Sequence, residues 1–237
     1  MTHMTRLRIR PCPPSPAAAA PVGDEVHVWV VPLDAPPVEP AALFADLTPA
    51  ECDRAARYRA GKVRDQFVVG RGLLRRLLGA YLDLHPHAVP ITYTDNGKPV
   101  LVGEPLHFNL THTDGLALIA ASARRVGIDV ERVRVVADAD GLVSRFFSPA
   151  ECVAFRALPD ERRAGGFLRG WTCKEAVIKA VGASVQTLDG FDVELDPARP
   201  PGVLAVRHAA FGTCAWVVES WEPAPGFAAA VAVEVST

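Results

Sequence analysis

Apolar residues fall into two patterns along this chain. Short runs rich in β-branched and aromatic side chains predict strands at Val26-His-Val-Trp-Val30, Phe108-Asn-Leu-Thr111, Leu116-Ala-Leu-Ile-Ala120, Val126-Gly-Ile-Asp-Val130 and Trp216-Val-Val-Glu219. Helical spacing occurs instead at Leu73, Leu74, Leu77 and Leu78, and again at Val177, Ile178 and Val181. Upstream of each helical stretch stands a start signal, Thr48-Pro-Ala-Glu51 or Ser148-Pro-Ala-Glu151. A hydroxyl N-cap, a proline at the first helical position and a glutamate three residues on form a capping box. Asp95-Asn-Gly97 predicts a tight turn.

These elements occur twice. Thr48-Pro-Ala-Glu-Cys52 matches Ser148-Pro-Ala-Glu-Cys152, Phe67-Val-Val-Gly70 matches Phe167-Leu-Arg-Gly170, and Val26–Val30 stands opposite Val126–Val130, all at an offset of 100. Three matches at one spacing indicate a duplicated unit. The expected fold is α+β, two similar lobes related by pseudo-twofold symmetry, with small antiparallel sheets and a single site between the lobes. The lobes are expected over residues 24–124 and 125–237, after a disordered leader over 1–23 whose prolines break any apolar run.

Composition narrows the function. Of 237 residues 49% are hydrophobic, enough for a sizeable core, and a net charge of −2 disfavours nucleic-acid binding. The longest apolar runs, 115–121 and 227–233, are too short to span a bilayer. Five scattered cysteines (12, 52, 152, 173 and 214) form no CxxC, which fits reduced thiols in a cytoplasmic protein.

Chemistry is concentrated in the second copy. Asp129 and Glu131 flank one valine, so strand alternation sets both carboxylates on one face, an arrangement that suggests a divalent cation. Trp171-Thr-Cys-Lys-Glu-Ala-Val-Ile-Lys179 adds a third acid, Glu175, and two ammonium groups, Lys174 and Lys179. A metal with lysines suits phosphate. The bland readings are two solvated acids at a strand end and an i,i+4 ion pair on an exposed helix. At an offset of 100, however, the first copy carries Trp29, Val31, Leu74, Arg75 and Gly79 at these positions, and that asymmetry favours a site. His112, between Thr111 and Thr113, reads either as a strand-capping histidine or as a phosphate contact in which all three side chains donate. Eight basic residues between Asp53 and Arg76 read mostly as a solvated helix face, a subset with Lys98 as a cationic pocket wall.

Taken together, these segments resemble the surfactin-synthetase-type 4′-phosphopantetheinyl transferases from about residue 24 onward. The markers are Gly97-Lys-Pro99, Phe108-Asn-Leu-Thr-His-Thr113, Gly127-Ile-Asp-Val-Glu131, Arg145-Phe-Phe-Ser148 with Glu151, and Trp171-Thr-Cys-Lys-Glu-Ala176 through Lys179. The resemblance implies a monomer that transfers the phosphopantetheine arm of coenzyme A to a serine of an apo acyl or peptidyl carrier protein, leaving 3′,5′-ADP. It assigns Asp129, Glu131 and Glu175 to Mg²⁺ (or Mn²⁺) and Lys179 to the pyrophosphate, with Lys174 beside it; the serine proton then falls to Glu175, directly or through a metal-bound water. His112, flanked by Thr111 and Thr113, Lys98, Arg54 and Arg64 are assigned to the adenosine 3′-phosphate end. Where members of the family carry a lysine on the first helix, this chain has Glu51. Two other readings fit the same residues: a non-catalytic module that binds coenzyme A or the carrier, and a Mg²⁺-dependent pyrophosphate hydrolase.

Overall fold

The computed structural model describes residues 6–11, 19–134, 136–212 and 215–235. In chain order its strands and α-helices are β1 (Arg6–Pro11), β2 (Glu25–Pro32), α1 (Pro40–Phe44), α2 (Pro49–Ala56), α3 (Gly61–Leu82), β3 (Ile91–Tyr93), β4 (Pro99–Leu101), β5 (His107–Thr113), β6 (Leu116–Ser122), β7 (Val126–Arg132), α4 (Ala139–Phe146), α5 (Pro149–Arg156), α6 (Asp160–Val181), β8 (Phe191–Val193), β9 (Val203–Val206), β10 (Ala215–Trp221) and β11 (Phe227–Val235). Two sheets carry the architecture, ordered β1-β2-β6-β5 and β10-β11-β7, and two-stranded ribbons β3-β4 and β8-β9 flank them. No helix among the described residues is long and apolar enough to cross a membrane.

Strand alternation distributes the core. On β6, Ala117, Ile119 and Ala121 pack with Leu73, Leu74, Leu77 and Leu78 of α3, while Leu118 and Ala120 pack with Val126, Ile128 and Val231 of the other sheet. The central layer is therefore two sheets face to face, covered by α3 on one side and α6 on the other. Each fully buried leucine or valine contributes about 1.5–3 kcal/mol, so this four-layer stack holds the lobes together. The edge strands β5 and β7 meet at the seam, where Asn109 Oδ1 accepts the Ile128 amide at 2.9 Å.

Both expected capping boxes are formed, on Thr48 with Glu51 and on Ser148 with Glu151. Each lobe repeats the order strand, short helix, long helix. One expectation needs correction: the long helices, Gly61–Leu82 and Asp160–Val181, are offset by 99, and so are their left-handed C-caps, Asp83 and Gly182. Lys174 therefore corresponds to Arg75, Glu175 to Arg76 and Lys179 to Ala80. Both members of the first of these pairs ion-pair with the capping-box glutamate, Arg75 with Glu51 at 2.5 Å and Lys174 with Glu151 at 2.7 Å.

A second correction concerns the leader. Arg6–Pro11 forms β1, parallel to β2 with Leu7 opposite Val26, so the sheets are not wholly antiparallel. Leu7 packs on the core between the sheets and Arg8 pairs with Glu25 at 2.7 Å, which holds the segment in place. Residues 1–5 and 12–18 of the expected leader, with Cys12 and Cys214, lie outside the described residues. Cys52, Cys152 and Cys173 are free thiols.

Candidate active site

The acids and Lys179 meet where β7 lies on α6. Val126, Ile128 and Val130 turn into the central core, so Gly127, Asp129 and Glu131 take the opposite face. A Cβ at Gly127 would strike the backbone of Ala176 and Ala180, and this close approach brings the acids of the strand to the helix that carries Glu175 and Lys179. Lys179 Nζ donates to Asp129 Oδ1 at 2.5 Å and lies 3.8 Å from Glu175 Oε2. Thr111 Oγ1, from β5 across the seam, donates to the same Asp129 oxygen at 3.2 Å.

Two carboxylates thus pair with one ammonium, and Glu131, on the same face of β7, lies near enough to feel the charges of Asp129 and Lys179. Burial pushes Glu131 up, with the charge of Asp129 acting in the same direction. Burial also pushes Glu175 up; Lys179 opposes this, while Asp129 and Glu131 reinforce it. Among the described residues, no three His, Cys, Asp or Glu side chains are already gathered around a metal position. The donor set nevertheless fits one. Asp129 Oδ2 is buried without a hydrogen-bond partner, and mutual repulsion among oxygen-only ligands is what a hard divalent cation relieves.

From this cluster a trough runs into the first lobe. Its near part is bordered by Lys179, Gly182 and Asn109. Gly97, Pro99 and Leu110 border this part and also the deeper cleft, of about 260 Å³, beyond it. The deeper cleft has aromatic walls, Tyr58, Phe67 and Tyr93, and three basic side chains, Arg54, Arg71 and His112. Arg54 lies over the Phe67 ring at 5.0 Å. The two faces of β5 divide the Thr-His-Thr cluster, since Thr111 reaches Asp129 whereas His112 faces the cleft. Desolvation in the cleft lowers the His112 pKa, as do the Lys179 and Arg54 charges. Thr113 ends the strand, in register with Leu116.

Two expected ligands, Lys174 and Arg64, lie elsewhere. Lys174 is fully buried in the second lobe, where its ammonium contacts both Glu151 oxygens and the Phe191 carbonyl and sits 4.4 Å from the Phe191 ring centroid. It is a scaffold lysine, because helix geometry turns consecutive residues to different faces and only Glu175 looks outward. Arg64 pairs with Asp65 at 3.1 Å and borders a separate groove with Glu39 and Phe44. Lys98 does border the near part of the trough with Lys179, and there its ammonium donates to the Ala180 carbonyl while Asn96 donates to that of Gly182 at 2.9 Å. The Asn96-Gly97 turn of one lobe thus caps the C-terminus of α6 in the other, which suits the negative end of a helix dipole. Sequence reasoning missed Arg71, which had been counted only as part of the basic helix face. It also missed Gly127, whose signal was the single residue without a Cβ in an otherwise branched strand.

Residues 125–232 match the 4′-phosphopantetheinyl transferase superfamily, and residues 37–124 match the 4′-phosphopantetheinyl transferase N-terminal family. The chain is 41% identical over 192 residues to the 4′-phosphopantetheinyl transferase HetI of Nostoc sp., covering 79% of this chain and 81% of that protein. It is 25% identical over 155 residues to a 4′-phosphopantetheinyl transferase of Bacillus subtilis, covering 65% and 68%. Among solved structures, a holo-[acyl-carrier-protein] synthase of Thermotoga maritima matches 47% of this chain and 63% of its own, with 26% identity and a TM-score of 0.38.

Proposed function

This chain belongs to the 4′-phosphopantetheinyl transferase superfamily, and from that premise we propose that it transfers the 4′-phosphopantetheine of coenzyme A to a serine of an apo carrier protein. The observation that carries the reading is one trough with acids and Lys179 at one end and an aromatic, basic cleft at the other. Such a trough suits a substrate with a pyrophosphate between a reacting arm and an adenosine. The lobes, 24–124 and 125–237, meet at the turn between β6 and β7 and each supplies one end. A cytoplasmic monomer belongs to the same reading, because the duplicated chain already contributes both walls.

In the reaction the serine oxygen bonds to the pantetheine-side phosphorus, and the P–O bond to the adenosine-side phosphate breaks. Glu175, directly or through a bound water, takes the serine proton. Lys179 neutralises the charge that grows on the departing 3′,5′-ADP. Asp129, Glu131 and Glu175 would hold Mg²⁺ or Mn²⁺, which when bound supplies charge neutralisation at the pyrophosphate. Positioning and electrostatics account for most of the acceleration in such transfers.

Incubation with coenzyme A, Mg²⁺ and an apo carrier protein is expected to add the phosphopantetheine mass to the carrier. Coenzyme A binding without that increment would favour the non-catalytic module. Carrier-independent cleavage of coenzyme A would favour the hydrolase.

A further inference from the structure

Arg71 leaves the middle of α3 for the deeper cleft, where it lies beside Tyr93. Its side chain is only 8% exposed, yet Nε and Nη1 have no hydrogen-bond partner. Nη2 donates to the Tyr93 hydroxyl at 3.1 Å. Arg71 Nε forms a 3.4 Å ion pair with Glu51 Oε1 that falls short of a hydrogen bond, and it shares this carboxylate with a second guanidinium. Glu51 Oε2 accepts Arg75 Nε at 2.5 Å and the Thr48 amide at 3.0 Å. A buried guanidinium whose Nη1 has no partner and whose Nε has only a shared, distant one is unfavourable unless something else meets it.

The second lobe shows the same cluster without the additional cation. There Glu151 pairs with Lys174, and in the 99 register the position of Arg71 is held by Gly170, enclosed by Phe147 and Leu195. One acid faces one base in that copy, whereas one acid faces two guanidinium groups in the copy that forms the cleft. Helix packing alone is satisfied by the first arrangement, so the second guanidinium points to a ligand.

We infer that Arg71 binds the terminal phosphomonoester of coenzyme A and sets the preference for coenzyme A over dephospho-coenzyme A. The inference rests on the function proposed above. A guanidinium edge offers two parallel N–H donors, which match two oxygens of a phosphate. Position selects which phosphate. The pyrophosphate belongs near Lys179 and the acids, and the deeper cleft lies beyond Gly97, Pro99 and Leu110. Its aromatic walls suit an adenine ring. The anion that reaches Arg71 is therefore the monoester carried by the adenosine, flanked by Arg54 and His112.

Calorimetric titration of the full chain with coenzyme A and with dephospho-coenzyme A, without carrier, tests this. The wild type is expected to prefer coenzyme A by about tenfold or more, the scale of hydrogen bonds to a charged group. Arg71→Gln is expected to bring the affinity ratio close to one. Arg71→Lys keeps a charge beside Glu51 but loses the fork, and is expected to give an intermediate ratio; it decides alone should Arg71→Gln not fold by circular dichroism. An unchanged ratio in the folded variants overturns the inference, as does a wild type that binds both ligands equally. A wild type that binds neither removes the proposed function itself.

Discussion

The backbone of Gly127 lies directly against the Ala176 carbonyl, so closely that a methyl group at 127 would overlap it and the Ala180 backbone. Neither partner is a flexible side chain, so the strand itself must move. Gly127→Ala is expected to cost about 1–3 kcal/mol or more of stability, the range for an overpacked core. Transfer should also fall at temperatures where the variant is folded, because β7 carries Asp129 away from Glu175 and Lys179. Urea denaturation and carrier mass spectrometry read the two effects. A variant as stable and as active as the wild type would show that the close approach is not needed.

Asp129→Asn and Glu175→Gln keep shape while removing charge. Each is expected to lower the rate of carrier modification by about 10²–10³ or more, the scale for losing one electrostatic contributor at a reacting centre. EDTA should stop the wild-type reaction, and Mg²⁺ or Mn²⁺ should restore it. Near-normal turnover by either variant, with circular dichroism unchanged, removes the metal assignment; transfer that ignores the chelator removes the dependence itself.

What could be read from the chain beforehand was set by local rules. Capping boxes, strand alternation and the Asp95-Asn-Gly97 turn depend on neighbours within a few residues, so α2, α5, β5, β6 and β7 were all legible. The Asp129, Glu131, Glu175 and Lys179 group was legible because one face of a strand and one turn of a helix have fixed periods. The register of the long helices was not. A single residue dropped between Leu158 and Asp160 shifts every pair by one, and only the shared contacts of Arg75 with Glu51 and Lys174 with Glu151 reveal it. That Lys98 also caps α6 was hidden for a similar reason, since its partner, the Ala180 carbonyl, lies 82 residues away. Arg6–Pro11 was hidden by the prolines around it, although Leu7 and Ile9 alternate with arginines as an edge strand requires.

Lys174 separates scaffold from chemistry within one motif. Removing one partner of a buried, hydrogen-bonded ion pair costs about 3–5 kcal/mol, so Lys174→Met should lower the melting temperature sharply by stranding Glu151. Adding Glu151→Leu should recover part of that loss. The coenzyme A affinity of the folded fraction, measured at low temperature, should stay near that of the wild type. Retained stability with lost affinity would return Lys174 to the binding site.

Lys98 carries a signed pH dependence. Burial lowers its pKa from 10.5 to about 8; the nearby Arg125 charge acts in the same direction and Glu104 opposes it. Between those two values the unfolded chain holds a proton that the folded chain has released, so stability rises with pH across this window. Full expression of the shift corresponds to at most about 3.5 kcal/mol, at about 1.4 kcal/mol per pH unit. Below pH 8 both states are protonated and the dependence vanishes. Lys98→Met abolishes the titration, so the stability of the wild type relative to this variant should grow from pH 8 to 10.5 in urea denaturation. A constant difference would mean that the ammonium is still solvated at the end of α6. A difference that shrinks with pH would mean that the charged form is what the cap on Ala180 requires, and that helix-dipole attraction outweighs burial at this contact.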